Sequence, residues 1–566
     1  MKWTMDLFRE FIYDFKLKKE MGSLKVKKGR SICFSLAGLL IASTLSACTS
    51  NSSTGTSATS TASATQAAAT AGASKEHRTL TVEVFDRGKP GQPDLNNNYW
   101  TKYINDNFGK QFNATVKFVS VPRAQEVDKL NVLMAAGQAP DITFTYNQGV
   151  VYNYVQQGGL AELDSVLKQY GPVLTKYLGD DVLKYGKFNG KQYSVPGKRT
   201  VLAGSNTFIR KDWLDKLGLP VPTTPQQFYD TMVAFKEKNP GNVSGVIPYG
   251  YSLQPLNPGL SLIPEAFKPS NLTEEQFATL QPQSIWLANW SMPGFDKAVQ
   301  YVNKMYNAGL ISPNFATDKD GKLLDADISN GKVGAFQTNW DGPYRTAPGT
   351  YTNLVKNVPG AQLIPIDPWQ NDAGKHPKNG YSPNGMYIII PKTSKNVDLA
   401  IQYLNWMSDP KVTLFLQNGQ EGVDYNMVNG VPKQTGTTNS GDKMMTVANN
   451  LDYDILSNGI ELGDQKKNDA AISTGYPGYE KDAENALKVG MVDYYANYFY
   501  SIPNAADAKN NAALKNLSAQ MLAKLIVAKP AEVEGLYKSL VQQYMDQGGK
   551  AVEDEFIKNY KAQNNK

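Results

Sequence analysis

The stretch RAQEVDKLNVLMAAGQAPDITFTYNQG, residues 123–149, decides the fold of this 566-residue chain. Its first half repeats apolar residues at helical spacing as far as Gly137, which predicts an amphipathic helix. Its second half is a short apolar run at 142–145 that opens into the polar loop 146–147, which predicts a buried strand. A helix followed by a buried strand is the unit from which α/β sheets are built.

The residues before this stretch continue the same alternation. RTLTVEVFDRG (78–88) and NATVKFVSV (113–121) predict strands, and the segment 99–108 between them predicts a helix. Strands that alternate with helices indicate an α/β lobe with a largely parallel sheet. In such sheets ligands bind at loops beyond the carboxyl ends of the strands. We therefore expect a ligand cleft lined by the residues that follow the first and third strands, which are Asp86, Arg87, Tyr146 and Asn147.

A second unit follows with its own signals. Thr224, Pro225 and Gln227 supply a cap, a first-turn proline and a capping-box glutamine for a helix. Residues 330–344 (NGKVGAFQTNWDGPY) predict a strand and then a loop, and the chain from 480 onward reads as mostly helical. About 490 ordered residues exceed what one hydrophobic core usually serves, so we expect two lobes.

The amino-terminal region predicts export and a lipid anchor. A basic patch precedes the apolar stretch 32–45, which is too short to span a bilayer and indicates a signal peptide. The ending LSAC resembles the bacterial lipobox, after which Cys48 carries the lipid; a plain secretory peptide is the alternative. The Ser-, Thr- and Ala-rich residues 49–77 predict a disordered linker. Residues 1–20 are too acidic for a signal peptide, so we expect translation to start at Met21, with an amphipathic membrane-surface helix as the alternative.

Composition excludes several functions. Removal of residues 1–47 takes away nine basic and four acidic side chains and leaves 49 basic against 48 acidic, so the formal net charge falls from +6 to +1. A nearly neutral chain argues against a nucleic-acid partner. Only Cys48 remains after cleavage, which excludes internal disulfides and thiol chemistry. The HExxH, GxSxG and P-loop patterns are absent from the sequence.

Several segments together resemble extracellular solute-binding protein family 1. They are the lipobox, VPRAQEVDKLNVLMAAGQAPDI, FIRKDWLDKLGLPVPTT, GKVGAF and the Glu-Gly of GQEGVDYNMVNGVP. More narrowly, the chain is similar to large lipoproteins of Gram-positive bacteria that serve ABC importers of complex carbohydrates. The resemblance implies an α/β, two-lobe fold of the periplasmic-binding-protein type II, with a hinge and an interlobe cleft.

The resemblance also implies a function and a place. The protein is expected to be a monomer without catalytic activity or cofactor, anchored to the extracellular face of the cell membrane, which captures an oligosaccharide and passes it to an ABC permease. A secreted carbohydrate-active enzyme and a surface glycan sensor are the alternatives; an enzyme would need two facing carboxylates in the cleft.

The resemblance implies how the chain is divided between the two lobes, with crossings from one lobe to the other near Asn206 and near Gly385. It assigns 1–47 to the signal peptide, 48–77 to the lipidated cysteine and linker, 78–203 to the first lobe, 204–385 to the second lobe, 386–444 to a hinge return and first-lobe segment, and 445–566 to a mostly helical part of the second lobe.

Relatives often carry an Asp-rich calcium loop after the helix that ends in AFKEK. Here the corresponding residues, Asn239–Gly250, contain no carboxylate, so we expect no metal there. The segment DKDGKLLDAD, Asp318–Asp327, opens like a calcium loop but has glycine at its fourth place, and a solvated turn leading into a helix is favoured.

A sugar site needs aromatic rings for the flat faces of pyranoses and polar side chains for their hydroxyl rims. Trp340, in a loop that resembles the tryptophan-bearing loop of maltodextrin-binding proteins, is the first aromatic candidate, and Trp369, Tyr381 and Tyr476 are the others. The expected polar contacts are Asp86, Arg87, Asn147, Arg199, Asn206 and Asn384. Four further tryptophans fall in helical patterns and are expected in the core: Trp213, Trp286, Trp290 and Trp406.

Overall fold

The structure is a computed structural model that describes residues 76–86, 94–253, 260, 262–280, 290–318, 320–345, 349–435 and 453–564. These residues belong to one compact unit, Ala73–Lys566. The predicted signal peptide, Cys48, most of the linker, Arg87 and Trp286 lie outside the described residues. Within the described part of the chain, no helix combines the length and the apolar character needed to cross a bilayer.

Sixteen strands are named here in chain order. They are β1 Arg78–Asp86, β2 Ala114–Pro122, β3 Thr143–Thr145, β4 Lys187–Phe188, β5 Lys191–Gln192, β6 Ser194–Arg199, β7 Ser205–Arg210, β8 Ile247–Gly250, β9 Val333–Asn339, β10 Leu363–Ile366, β11 Lys378–Asn379, β12 Asn384–Ile389, β13 Tyr425–Val428, β14 Val431–Gln434, β15 Ser457–Asn458 and β16 Tyr494–Tyr495.

The α-helices of the described residues are given by their bounds. They are Tyr99–Ile104, Lys110–Phe112, Glu126–Ala135, Gln148–Gln156, Asp164–Tyr170, Pro172–Leu183, Lys211–Leu217, Pro225–Lys238, Glu274–Leu280, Phe295–Asn307, Lys322–Ser329, Thr350–Asn357, Val397–Met407, Pro410–Asn418, Gln465–Ser473, Glu480–Gly490, Ala505–Val527, Val533–Tyr544 and Lys550–Gln563.

The first lobe is built on a sheet in the order β2-β1-β3-β12-β6-β15. β1 pairs parallel to β2 and joins β3 through a parallel bridge between Val82 and Ile142. β12 runs antiparallel to both of its neighbours, β3 and β6, and β15 runs parallel to β6. The sheet is thus parallel except for β12, which confirms the α/β expectation. Its core packs buried residues such as Phe85, Phe144 and Tyr403 against the surrounding helices.

The second lobe is built on the sheet β10-β7-β9-β8. β7 is antiparallel to β9 and β10, and β8 is parallel to β9. The carboxy-terminal helices pack into the same core as this lobe's first helices, where Leu522 and Phe556 join Trp213 and Phe228. The prediction that the chain is mostly helical from residue 480 onward is confirmed.

Local signals set the helix ends where the sequence predicted them. Thr224 Oγ1 accepts a hydrogen bond from the Gln227 backbone N–H, and Gln227 Oε1 accepts one from the Thr223 N–H. Pro225 is the first helical residue, where its missing N–H costs nothing. The apolar face that this cap directs inward, including Phe228, is buried as predicted.

Three connections between the lobes lie in the described part of the chain: 200–204 from β6 to β7, 367–383 from β10 to β12, and 459–464 after β15. They are tied together by backbone hydrogen bonds from Tyr381 N to Leu202 O (2.9 Å) and from Thr200 N to Asn458 O (3.1 Å). Few covalent links that lie side by side are the arrangement of a hinge.

The last connection corrects the implied division of the chain. Residues 453–458, assigned above to the second lobe, contribute Tyr453, Ile455 and Leu456 to the first-lobe core, and β15 pairs with β6. The chain therefore passes to the second lobe only after Asn458. A two-residue strand has no alternating pattern of its own, so no local pattern predicts this late return to the first lobe.

Candidate functional site

The carboxyl ends of the parallel strands meet at one edge of each sheet. In the first lobe β1, β2, β3, β6 and β15 all point to this edge, and in the second lobe β8, β9 and β10 do so. All three connections leave from these ends, so the two edges face each other across the hinge. This is where α/β sheets bind ligands.

Arg199 is the last residue of β6 and lies at the first-lobe edge. Its Nη1 donates to Asn458 Oδ1 (3.3 Å), and its guanidinium carbon lies 4.3 Å from the centre of the Tyr381 ring. Asn458 Nδ2 in turn donates to the Tyr146 hydroxyl (3.3 Å). Residues from the ends of three strands and from a hinge connection therefore form one polar, aromatic wall.

The wall extends past Tyr146 to Arg123, the residue that follows β2. The Arg123 guanidinium lies 4.8 Å from the centre of the Phe85 ring and 4.9 Å from that of the Tyr146 ring. Its charge is balanced by Glu126, which accepts from its Nη1 and also accepts from the Thr145 hydroxyl (3.1 Å). The Tyr146 ring and one paired charge thus line this end of the edge, whereas Phe85 belongs to the buried core.

The second-lobe edge is built on the loop that follows β9. Asp341 accepts two hydrogen bonds from Arg345 (2.8 and 2.6 Å) and one from the Tyr476 hydroxyl (2.8 Å). The Trp340 ring packs edge-on against Tyr476 with the ring centres 5.7 Å apart. Arg345 also lies close enough to Tyr381 for the two side chains to interact electrostatically. Tyr381 therefore lies in contact with Arg199 and within electrostatic range of Arg345.

A segment of the second lobe bridges the two lobes behind this wall. β16 pairs with β11 of the second connection, and the Tyr494 hydroxyl donates to the Tyr381 backbone oxygen. Phe499 packs on Tyr185 of the first lobe with ring centres 4.4 Å apart. The segment 494–500, called the bridging segment below, thus links both lobes to the hinge.

Two arginines at the facing edges, Arg345 and Arg199, differ in whether a carboxylate of the described residues pairs with them. Burial opposes the charge of Arg345, but its hydrogen bonds to Asp341 hold the pKa of Arg345 above its ordinary value. Burial raises the pKa of the Tyr476 hydroxyl, and the Asp341 carboxylate raises it further. Burial lowers the pKa of Arg199, against the opposing effect of three nearby tyrosines. Arg199 has no carboxylate within 4.0 Å among the described side chains.

Two predicted ligand contacts are corrected by the structure. Trp369 is 1% exposed, its Nε1 donates to the Thr207 hydroxyl (2.7 Å), and it packs against Phe228 in the second-lobe core. Asn206 is fully buried, and its Nδ2 donates to the Ala486 backbone oxygen (2.7 Å) in the helix Glu480–Gly490. Trp369 and Asn206 therefore stabilise the second lobe and offer no surface to a ligand.

The remaining predicted residues are only partly brought together. Tyr146, Arg199, Tyr381 and Tyr476 lie in the wall. Trp340 is only 6% exposed, so the part-buried tyrosines expose a larger fraction of their surface than Trp340 does. Asn147 caps the helix Gln148–Gln156, and Asn384 is buried in β12 beside Tyr387. The Asp86 side chain lies outside the described part of the structure. Trp213 and Trp290 are buried in the core as expected, and Trp406 packs against the first-lobe core.

Five residues described above were not predicted as site residues: Arg123, Asn458, Tyr494 and the paired Asp341 and Arg345 of the loop after β9. Arg123 follows β2 directly, so the same rule that selected Tyr146 would have found it. Asn458 and Tyr494 lie in two-residue strands whose partners are more than a hundred residues away in sequence. No local pattern marks such residues.

The acidic loop of residues 318–327 has a structural use. Both carboxylate oxygens of Asp318 accept from backbone N–H groups at the start of the helix Lys322–Ser329, those of Leu323 and Leu324 (3.3 and 3.0 Å). A carboxylate in this position satisfies donors that the first helical turn leaves unpaired. Across the described residues, no group of three or more His, Cys, Asp or Glu side chains is arranged to hold a metal ion.

The hinge, the facing sheet edges and the polar aromatic wall define the class of two-lobe solute-binding proteins. A family model described as bacterial extracellular solute-binding protein matches residues 93–413. The chain therefore belongs to this family.

Two sequence relatives come from Bacillus subtilis (strain 168). Lipoprotein LipO is 26% identical over 325 residues, which cover 56% of this chain and 62% of that protein. The polygalacturonan/rhamnogalacturonan-binding protein YtcQ is 24% identical over 332 residues, which cover 56% of this chain and 62% of that protein. The chain thus matches less than two thirds of the length of either relative.

Solved structures share the fold over most of the chain. An HMO-binding, ABC-transporter associated solute-binding protein from Bifidobacterium longum infantis has a TM-score of 0.62 at 19% identity, covering 86% of this chain and 100% of that one. The alginate-binding protein AlgQ2 without calcium ion has a TM-score of 0.59 at 18% identity, covering 86% and 98%. At this identity the likeness concerns the fold alone.

Proposed function

We propose that this protein captures an oligosaccharide between its two lobes and delivers it to the permease of an ABC importer. The observation that carries the proposal is the wall at the hinge, where Tyr146, Tyr381 and Tyr476 stand among guanidinium and amide donors. Part-buried tyrosine rings suit the flat faces of sugars, and fixed donors suit their hydroxyl rims.

The relatives support a saccharide ligand. YtcQ is named for polygalacturonan and rhamnogalacturonan, and the FusA protein of Streptococcus pneumoniae, 23% identical over 301 residues, is named as a fructooligosaccharide transporter component. These names describe binding proteins, and we propose that this chain likewise binds its ligand without breaking a bond in it.

Capture would work by closure of the lobes. The ligand would touch the first-lobe wall at Tyr146 and Arg199 and the second-lobe wall at Tyr476, which lie on opposite sides of the connections. Binding to both walls at once favours the closed form by the difference between the affinities of the ligand for the closed and open forms. The permease would then recognise the closed form.

A lipid on Cys48 would hold the protein at the outer face of the cell membrane. Two acyl chains give stable anchoring where one gives only marginal binding. Residues 48–77 would act as a flexible linker with a mean reach on the order of 30 Å, enough for the lobes to approach a permease beside them. Exchange of Cys48 for serine should release the protein from the membrane fraction into the medium; membrane retention of the Cys48→Ser protein would contradict the anchor.

Sugar capture is tested by a thermal-shift screen of plant and microbial oligosaccharides, followed by isothermal titration calorimetry of each hit. A ligand that binds only the native state raises the melting temperature as its concentration increases. Tyr381→Ala and Tyr476→Ala should each weaken binding about tenfold, since each removes a ring from the wall. Tyr229→Ala is the matched control, because Tyr229 is a part-buried tyrosine on the helix Pro225–Lys238, under Lys304 and outside the wall. A screen without any saccharide hit would refute sugar capture.

A further inference from the structure

Among the described side chains of the wall, one positive charge, that of Arg199, has no carboxylate partner. Arg123 is paired with Glu126, Arg345 with Asp341, and Lys198, next to Arg199 in β6, with Glu461 (2.8 Å). Arg199 has only the neutral Asn458 and the Tyr381 ring as partners among the described side chains, and its Nε is buried without a hydrogen-bond acceptor.

Such an arrangement is costly in the empty protein. A buried charge is normally paired, and a buried donor without an acceptor loses the full free energy of its hydration. The Tyr381 ring stabilises the guanidinium but accepts no hydrogen bond from Nε. A second residue could relieve this cost, yet no carboxylate among the described residues is placed to do so.

The missing partner is best supplied by a carboxylate. A guanidinium presents donors in a rigid fork that matches the two oxygens of a carboxylate, and charge-assisted hydrogen bonds are about twice as strong as neutral ones. A sugar hydroxyl would satisfy the hydrogen bond but leave the charge unpaired. The site therefore gains more from an acidic ligand than from a neutral one.

We infer that the ligand is an acidic oligosaccharide and that Arg199 pairs with the carboxylate of a uronic acid residue seated against Tyr381. This inference rests on the sugar capture proposed above and names the class of saccharide. Asn458 orients the guanidinium from the side of Tyr146, and Tyr381 holds it from the hinge, so the position of the charge is fixed before the ligand arrives. Pre-positioned donors of this kind lower the entropic cost of binding.

The test compares matched acidic and neutral ligands by calorimetry on the full chain. The probes are uronate oligomers of three to six sugars, prepared from polygalacturonate, alginate and glucuronoxylan, and the same oligomers after chemical reduction of each carboxylate to a primary alcohol. Reduction keeps ring, linkage and length and removes only the charge. At least one uronate oligomer should bind about tenfold or more tightly than its reduced counterpart.

Substitution then assigns the preference to Arg199. Arg199→Gln should weaken binding of the uronate by about 10- to 100-fold and that of its reduced counterpart by less than about threefold, and Arg199→Lys should retain part of the preference. Arg78→Gln is the control, because Arg78 begins β1 at the opposite edge of the same sheet, where it pairs with Asp398 (2.9 Å). It should leave both affinities unchanged.

The outcomes separate the two proposals. Binding of neutral oligosaccharides with no preference for uronates overturns this inference and leaves sugar capture standing. A uronate preference that persists in Arg199→Gln overturns the assignment to Arg199. The absence of binding by any of these oligomers overturns this inference, whereas sugar capture is overturned only if the thermal-shift screen also gives no saccharide hit.

Discussion

Lys378 holds the second connection of the hinge in place, and its removal should destabilise the protein strongly. Its side chain is 3% exposed and its ammonium donates to the Asp367 carboxylate and to the backbone oxygens of His376 (3.0 Å) and Val492 (3.1 Å). All three protons of the ammonium are used. Lys378→Met keeps most of the aliphatic stem but leaves Asp367 without its main partner.

The magnitude follows from the burial of the partner that remains. Breaking a buried ion pair by removing one member costs about 3–5 kcal/mol. Because the Asp367 side chain is 20% exposed, water screens part of its charge, and we expect a loss at the lower end, about 3 kcal/mol at pH 7. Burial already raises the pKa of Asp367 while Lys378 opposes the rise, so the variant should raise this pKa further.

The pH dependence gives a second check. A carboxyl whose pKa is higher in the folded than in the unfolded protein binds more protons when folded, so stability falls as the pH rises through that range. The difference in the free energy of unfolding between Lys378→Met and the wild type should therefore become smaller on acidification from pH 7 towards the ordinary pKa of aspartate, about 3.9.

Urea denaturation of both proteins, followed by circular dichroism at pH 7 and pH 5, measures these effects. Lys375→Met is the matched control, since its side chain is 68% exposed and its ammonium lies 3.9 Å from Asp493; it should change stability by less than about 0.5 kcal/mol. A decrease of less than about 1 kcal/mol in the free energy of unfolding of Lys378→Met at pH 7 would refute the reasoning. A difference from the wild type that is larger at pH 5 than at pH 7 would also refute it.

Three further substitutions test the placement of other residues. Trp369→Ala should cost about 3–5 kcal/mol in the same urea assay because it opens a cavity in the second-lobe core, and a ligand-dependent phenotype without this loss would return Trp369 to the binding site. Thr224→Ala should cost about 1 kcal/mol as the loss of a helix cap; a change within error would show that the cap is redundant. Gly380→Ala should lower the melting temperature by several degrees, corresponding to about 1–3 kcal/mol, because the added Cβ would lie 2.4 Å from the Leu202 backbone oxygen. An unchanged melting temperature would mean that the backbone of the hinge can shift to accommodate the methyl group at little cost.

The sequence predicts the fold where the signal is local and periodic. The helix Glu126–Ala135, the strand that follows it and the cap at Thr224 each depend on residues within a few positions of one another. Alternation of such elements was enough to predict an α/β lobe, and the length of the chain predicted a second lobe. The late return of β15 to the first sheet depends on a pairing across more than 250 residues, and nothing in residues 453–458 indicates it.

The site was predicted less completely for a related reason. The rule about strand ends selected Tyr146, and the structure links Tyr146 through Asn458 to Arg199, a residue proposed separately as a polar contact. Composition cannot tell a tryptophan that lines a cleft from one that fills a core, because both occur after strands in loops rich in glycine and proline. Trp369 was misplaced on that account, since its burial depends on Phe228 and Tyr301 from distant helices.

The interleaving of the two lobes has a consequence for synthesis. The first lobe needs β12 and β15 to complete its sheet, and these strands are made after most of the second lobe. At a synthesis rate of 5–20 residues per second, β3 and β6 remain without their strand partners for on the order of tens of seconds. This delay should keep the first lobe unfolded while the chain is exported as proposed above, and truncation anywhere before residue 458 should leave the amino-terminal half unable to fold.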